Sequence, residues 1–224
     1  MANTLQRIAL VTGANKGIGY EIARQLAQAG VSVLLGARDE ARGNAAVQEL
    51  ASQGLALSFV QLDICDPVSI AAAAAKIDAA YGRLDMLVNN AGIADPTDGA
   101  PSVAALDAVR RALETNFIGA LAVTRAMLPL LRKSDAGRIV NMSSSLGSLA
   151  LNGDPSWPFF DVKLIGYNAS KAALNMLTVQ LNAELGDTRI TAVSVCPGLV
   201  NTDLSGHRRR GGGVCGWAGF IDGP

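Results

Sequence analysis

Six short runs rich in β-branched and other apolar residues recur along the chain, at 7–12, 31–36, 55–63, 83–90, 137–143 and 189–196. Their apolar positions are nearly continuous rather than alternating, which is the pattern of strands covered on both faces of a parallel sheet. Between them lie longer stretches with helical periodicity, at 17–30, 39–54, 66–82, 102–132 and 167–186, several of which close on a glycine as a helix C-terminus does. The alanine run 71–75 belongs to one of these helices: alanine is the strongest helix former, and Asp66-Pro67 ahead of it supplies a start signal. Strand and helix alternating in this way predict an α/β fold, a single-domain Rossmann-type doubly wound parallel sheet flanked by helices on both faces.

Composition narrows the partners. At 224 residues the chain suits one domain over 1–224, and no linker-like stretch divides it. Charged residues make up 17%, with 19 Lys plus Arg against 19 Asp plus Glu, so no global field points to nucleic acid. No apolar run reaches the length of a membrane span, and the opening MANTLQ lacks the succession of a signal peptide. Cys65, Cys196 and Cys215 lie far apart, without a CxxC pair or a suitably spaced histidine. The expectation is a reduced, cytoplasmic chain with no metal site, no membrane or nucleic-acid partner, and a small-molecule ligand.

The glycines at 13, 17 and 19 in TGANKGIG fall between the first strand and the first helix. Glycines there let the backbone turn sharply and approach a diphosphate, whose charge is favoured by the unpaired N–H groups and dipole of the helix start. The spacing is GxxxGxG rather than the GxGxxG of many dinucleotide folds. About 20 residues on, where an acid would take the ribose hydroxyls of NAD, stands Arg38, and Lys16 lies within the turn itself. Two cations suit a 2′-phosphate, so the cofactor expected is NADP(H). Asp39 is read as the N-cap of the helix that follows.

YNASK places Tyr167 and Lys171 one helical turn apart on a common face. At an effective dielectric of ~20, a unit charge ~4 Å from the phenol is worth about 4 kcal/mol, or about 3 pKa units. That is an upper bound on the lowering, because burial of the phenol acts in the opposite direction.

TGxxxGIG, NNAG (89–92) and YxxxK together resemble the short-chain dehydrogenases/reductases of the single-domain type, over about residues 7–204. NKGIG and the long stretch between NMSSSLG and YNASK resemble the carbonyl-reductase-like members. The resemblance implies a catalytic group of Asn116, Ser144, Tyr167 and Lys171, the serine being the second of Ser143, Ser144 and Ser145. It implies cofactor contacts at Gly13, Asn15, Lys16, Gly17, Ile18, Gly19, Arg38, Asp63, Ile64, Asn90, Ala91, Gly92, Tyr167, Lys171, Pro197, Gly198, Val200 and Thr202. Asp63 would meet the adenine ring, Asn90 would lie near a ribose, and Asn116 would support a water leading to the lysine. The activity implied is hydride transfer between NADPH and a carbonyl or alcohol substrate.

Two stretches depart from the compact family pattern. The segment before Tyr167 carries Trp157, Phe159 and Phe160, which either cover the site and favour apolar carbonyl compounds or complete the core. The same insertion could cover a dimerising helix face, so monomer and homo-oligomer both stay open. After TDLSGH comes a Gly- and Arg-rich tail in place of a lid helix, so the C-terminal end is expected to be short, with 206–224 a mobile or truncated lid region. A non-catalytic NADP(H)-binding sensor or partner-binding module is therefore the alternative to the reductase. A nucleotide-sugar dehydratase or epimerase fits poorly, because the larger substrate domain is missing.

Overall fold

The computed structural model describes residues 6–198 and 200. Strands β1 (Ile8–Thr12), β2 (Ser32–Ala37), β3 (Leu57–Gln61), β4 (Met86–Asn89), β5 (Gly137–Met142) and β6 (Ile190–Val195) form one parallel sheet in the order β3-β2-β1-β4-β5-β6. The order reverses between β1 and β4, so the crevice beyond their C-terminal ends is where such a sheet takes a ligand. Side chains of successive β1 residues point to opposite faces. Ala9 and Val11 join a core with helices α1 (Gly17–Gln28) and α2 (Glu40–Ser52), while Ile8 and Leu10 join the core on the other face. That second core is built by α3 (Pro67–Tyr81), α5 (Ala120–Leu131) and α7 (Ile165–Glu184).

The local signals act as their chemistry dictates. Asp39 and Asp66 accept hydrogen bonds from Arg42 N and Val68 N at 2.9 Å each, capping α2 and α3. Glycines 30, 54 and 82 follow α1, α2 and α3 in the left-handed region. The stretch expected as one helix over 102–132 is instead α4 (Leu106–Leu113), a π-helical turn (Glu114–Gly119) and α5. The widened turn brings Gly119 against Ile64, where a β-carbon would stand 2.9 Å from the Ile64 carbonyl. A 3₁₀ turn (Ser145–Gly147) and the short α6 (Leu149–Asn152) lead into the insertion ahead of α7.

Beneath the crevice, β4, β5, α5 and α7 are joined by buried polar side chains. Asn89 Nδ2 donates to Thr124 Oγ1 (2.9 Å) and Asn141 Oδ1 (2.8 Å), and Asn141 Nδ2 donates to Thr178 Oγ1 (2.9 Å). Buried amides are costly unless paired, so these bonds fix the helices that carry the site relative to the sheet. Among the described residues no helix is long and apolar enough to cross a membrane.

Candidate active site

The glycine turn stands at the mouth of the crevice. Gly13 adopts φ 63°, and a β-carbon there would lie 2.9 Å from Ala91 Cα. At Gly19 a β-carbon would lie 2.6 Å from the Gly13 carbonyl and overlap Asn90 Nδ2. The turn is braced from β4: Asn90 Nδ2 donates to the carbonyls of Thr12 (2.9 Å) and Gly13 (3.2 Å), and the Asn90 and Ala91 N–H groups both donate to Thr12 Oγ1 at 3.0 Å. Asn90 thus holds the turn in shape from below.

The start of α1 differs from those of α2 and α3. Lys16 at its N-cap makes no side-chain capping bond, where Asp39 and Asp66 each supply one. The dipole and N–H groups of this turn suit the diphosphate of a dinucleotide. Asn15 and Ile18 are half-buried in the same turn, Ile18 against the core, while Lys16 and Gly17 are exposed. Ala14 N donates to the Gly36 carbonyl at 3.0 Å, which ties the turn to the end of β2 and sets the exposed Arg38 just beyond it. Asp63 and the buried Ile64 follow β3, where one Asp63 carboxylate oxygen accepts from Cys65 N at 3.0 Å. Pro197, Gly198 and Val200 follow β6, with Gly198 at φ 74°. Thr202 and the tail from 206 lie outside the described residues.

Farther along the crevice, the four candidate catalytic positions converge from β5, the π-helical turn and α7. Tyr167 is 9% exposed and Lys171 5%, and Lys171 Nζ stands 5.6 Å from the phenol ring centroid. Nζ donates to the Met142 carbonyl at 2.7 Å, which anchors it at the end of β5. Ser143 is turned into α7, donating to Asn175 Oδ1 at 2.6 Å. The backbone N–H of Ser145 donates to Cys196 Sγ at 3.2 Å. Ser144 Oγ accepts from Leu146 N at 3.2 Å, and its hydroxyl lies near enough to the Tyr167 phenol to favour the phenolate. Asn116 is 1% exposed: its Oδ1 accepts from Ile93 N (2.7 Å), and its Nδ2 donates to the Ile93 carbonyl and Ser170 Oγ (2.9 Å each). A methyl group on Gly92 would sit 3.1 Å from Asn116 Oδ1 and 3.6 Å from Lys171 Nζ, so the glycine keeps the space between them clear.

Electrostatics correct one expectation. Burial pushes the Tyr167 phenol above its ordinary range, and the nearby Ser144 hydroxyl offsets this only in part. Lys171 does not lower the phenol, and its own ammonium is depressed to about 8 by burial. Cys196, exposed beside the serine turn, raises both groups when it carries charge. The sequence reading gave it no role.

The insertion does not complete the core. Trp157, Phe159 and Phe160 are half-buried and belong to neither core cluster, and the Trp157 and Phe159 rings meet edge to face at 5.5 Å. The insertion is stitched to the Tyr167 turn through Asn168 Nδ2, which donates to Asn152 Oδ1 (2.9 Å) and the Val162 carbonyl (3.3 Å).

The glycine turn and the Ser–Tyr–Lys cluster thus stand on one parallel sheet. The sequence profile of the short chain dehydrogenases matches residues 7–212. The chain belongs to the short-chain dehydrogenase family. It is 38% identical over 239 residues to carbonyl reductase [NADPH] 3 of Mus musculus, covering 91% of this chain and 85% of the mouse protein. It is 36% identical over 259 residues to short-chain dehydrogenase/reductase 1 of Saponaria officinalis, covering 89% and 83%. Among solved structures, NADPH-bound carbonyl reductase from chicken fatty liver superposes with a TM-score of 0.81 at 33% identity, covering 92% of this chain and 84% of that one. This short-chain dehydrogenase is accordingly an oxidoreductase of a family that works with a nicotinamide cofactor.

Proposed function

We propose that this short-chain dehydrogenase is an NADPH-dependent carbonyl reductase acting on small apolar ketones, aldehydes or quinones. The observation that carries the reading is the half-buried Ser144 hydroxyl near the buried Tyr167 phenol, one turn from the buried Lys171, beside the glycine-rich crevice. When bound, the reduced nicotinamide supplies a hydride to the carbonyl carbon. The Ser144 hydroxyl hydrogen-bonds the carbonyl oxygen, and Tyr167 transfers its phenolic proton to that oxygen as the C=O bond becomes C–O–H. The Lys171 ammonium faces the phenolate so formed and the ribose hydroxyls. Asn116, by fixing Ile93 and Ser170, keeps open the space beside Gly92 through which water resupplies the proton.

A raised phenol suits this direction. An alkoxide is a far stronger base than a phenolate, so a protonated tyrosine gives up its proton readily in reduction, while the reverse reaction needs a phenolate that burial disfavours. The aromatic insertion beside α7 supports an apolar substrate. The experiment is to follow NADPH absorbance with purified protein and a panel of ketones, aldehydes and quinones. Substrate-dependent oxidation is expected; cofactor binding without turnover on any of them would leave the non-catalytic sensor.

Cofactor choice rests on Arg38 and Lys16. Arg38→Asp is expected to lower the ratio of kcat/KM for NADPH over that for NADH by about 100-fold, since it removes a charge-assisted contact and adds a repulsion. An unchanged ratio would place the 2′-phosphate elsewhere. The pH profile tests Lys171. Its depressed value means that the charged form is lost as pH rises through about 8 in the free enzyme, so kcat/KM for NADPH is expected to fall above that point. A profile that stays level to pH 9.5 would contradict this role.

A further inference from the structure

The helix that carries Tyr167 and Lys171 has no cap of its own: its N-cap is Leu164, which makes no side-chain capping bond. Its first turn is instead satisfied from a segment nearly seventy residues earlier. Ile165 N donates to the Gly99 carbonyl (3.0 Å), Gly166 N to Asp98 Oδ1 (3.0 Å) and Tyr167 N to Asp98 Oδ2 (2.8 Å). Asp98 Oδ1 also accepts from Gly99 N at 2.8 Å, so both carboxylate oxygens are committed. The approach is close: a β-carbon on Gly166 would stand 2.9 Å from Val109 Cα and 3.1 Å from Asp98 Oδ2. A negative group at this end of the helix is also favoured by the dipole.

The clasping segment is itself held at two further points. Ile93 is bonded through both its N–H and its carbonyl to Asn116, and Asp95 pairs with Arg111 at 2.8 Å. Lys171 is pinned separately to the Met142 carbonyl, and Ser170 to Asn116. The first turn of α7 therefore depends on Asp98 in a way that the next turn does not, and the first turn is the one that aims the phenol at Ser144.

We infer that Asp98 is a positioning residue for Tyr167, capping α7 from outside so that the phenol stays directed at the Ser144 hydroxyl; the kinetic half of this inference rests on the reductase reading above. The test compares wild type, Asp98→Ala and Asp98→Asn in the full chain, by hydrogen–deuterium exchange of the 165–167 amides and by kcat and KM for NADPH. Asp98→Ala is expected to speed exchange of those amides by about 10-fold. It should lower kcat by about 10- to 100-fold, as misaimed groups do, with KM for NADPH within about 3-fold of wild type. Asp98→Asn keeps one acceptor oxygen and is expected to be intermediate, with kcat about 2- to 5-fold below wild type and exchange of the 165–167 amides about 2- to 5-fold faster. Unchanged exchange, or faster exchange with wild-type kcat, would overturn the inference. So would an alanine loss that asparagine does not relieve. Should Asp98→Ala not fold, Asp98→Asn carries the test: faster first-turn exchange with a lower kcat at constant KM supports it, and wild-type values of both overturn it. Wild-type protein that reduces no carbonyl compound would sink the reductase reading alone, because the exchange rates still report whether Asp98 holds the turn.

Discussion

Tyr167→Phe is expected to lower kcat for carbonyl reduction by about 1,000-fold while leaving the Kd for NADPH within about 3-fold of wild type. The substitution removes one oxygen and keeps the ring, so the packing that makes Tyr167 only 9% exposed survives. What it removes is the phenolic proton beside the Ser144 hydroxyl. Steady-state kinetics with a substrate from the panel, and fluorescence titration of NADPH, check the two halves separately. A mutant that keeps more than a tenth of wild-type kcat would show that the proton comes from another group, and a parallel loss of NADPH affinity would show that the phenol serves binding instead.

Gly19→Ala should come next in size, acting on the opposite part of the crevice. The added methyl group meets the Gly13 carbonyl at 2.6 Å and the Asn90 amide, which is itself bonded to the carbonyls of Thr12 and Gly13. Neither neighbour is the loose end of a long side chain, so the turn must shift. Overpacking of this kind costs about 1–3 kcal/mol. The expected result is a Kd for NADPH weakened by at least about 30-fold with the Tm lowered by several degrees. A variant that binds NADPH as wild type does would mean that the diphosphate does not approach this turn.

Much of this arrangement was legible in the sequence because it is local. Continuous apolar runs mark strands covered on both faces, and the structure puts them in one parallel sheet. Asp39 read as a helix cap rather than a ribose ligand because an acid immediately before a helical stretch has that use, and its carboxylate does accept from Arg42 N. What the sequence did not disclose depends on distance or on burial. Asp98 lies in a turn-rich stretch whose spacing points nowhere, and only the fold brings it to Tyr167 N, across 69 positions. The direction of the Tyr167 shift was missed for a related reason: the i, i+4 spacing announces the lysine, whereas the depth at which both side chains sit is a property of the sheet and helices around them. The π-helical turn escaped too, since ETNFIG has no proline and its one glycine does not announce a widened turn; that widening serves the contact of Gly119 with Ile64.

The claim on which the rest depends is that hydride and proton meet at one carbonyl between the crevice and Tyr167. It is tested most directly by supplying NADPH deuterated at the nicotinamide C4 positions together with an apolar ketone that the enzyme turns over, and examining the alcohol by mass spectrometry and NMR. The account predicts one alcohol formed for each NADPH oxidised, with deuterium on the carbinol carbon and, in ordinary water, none on the hydroxyl. NADPH oxidation without alcohol, or an alcohol whose carbinol hydrogen comes from solvent, would contradict it.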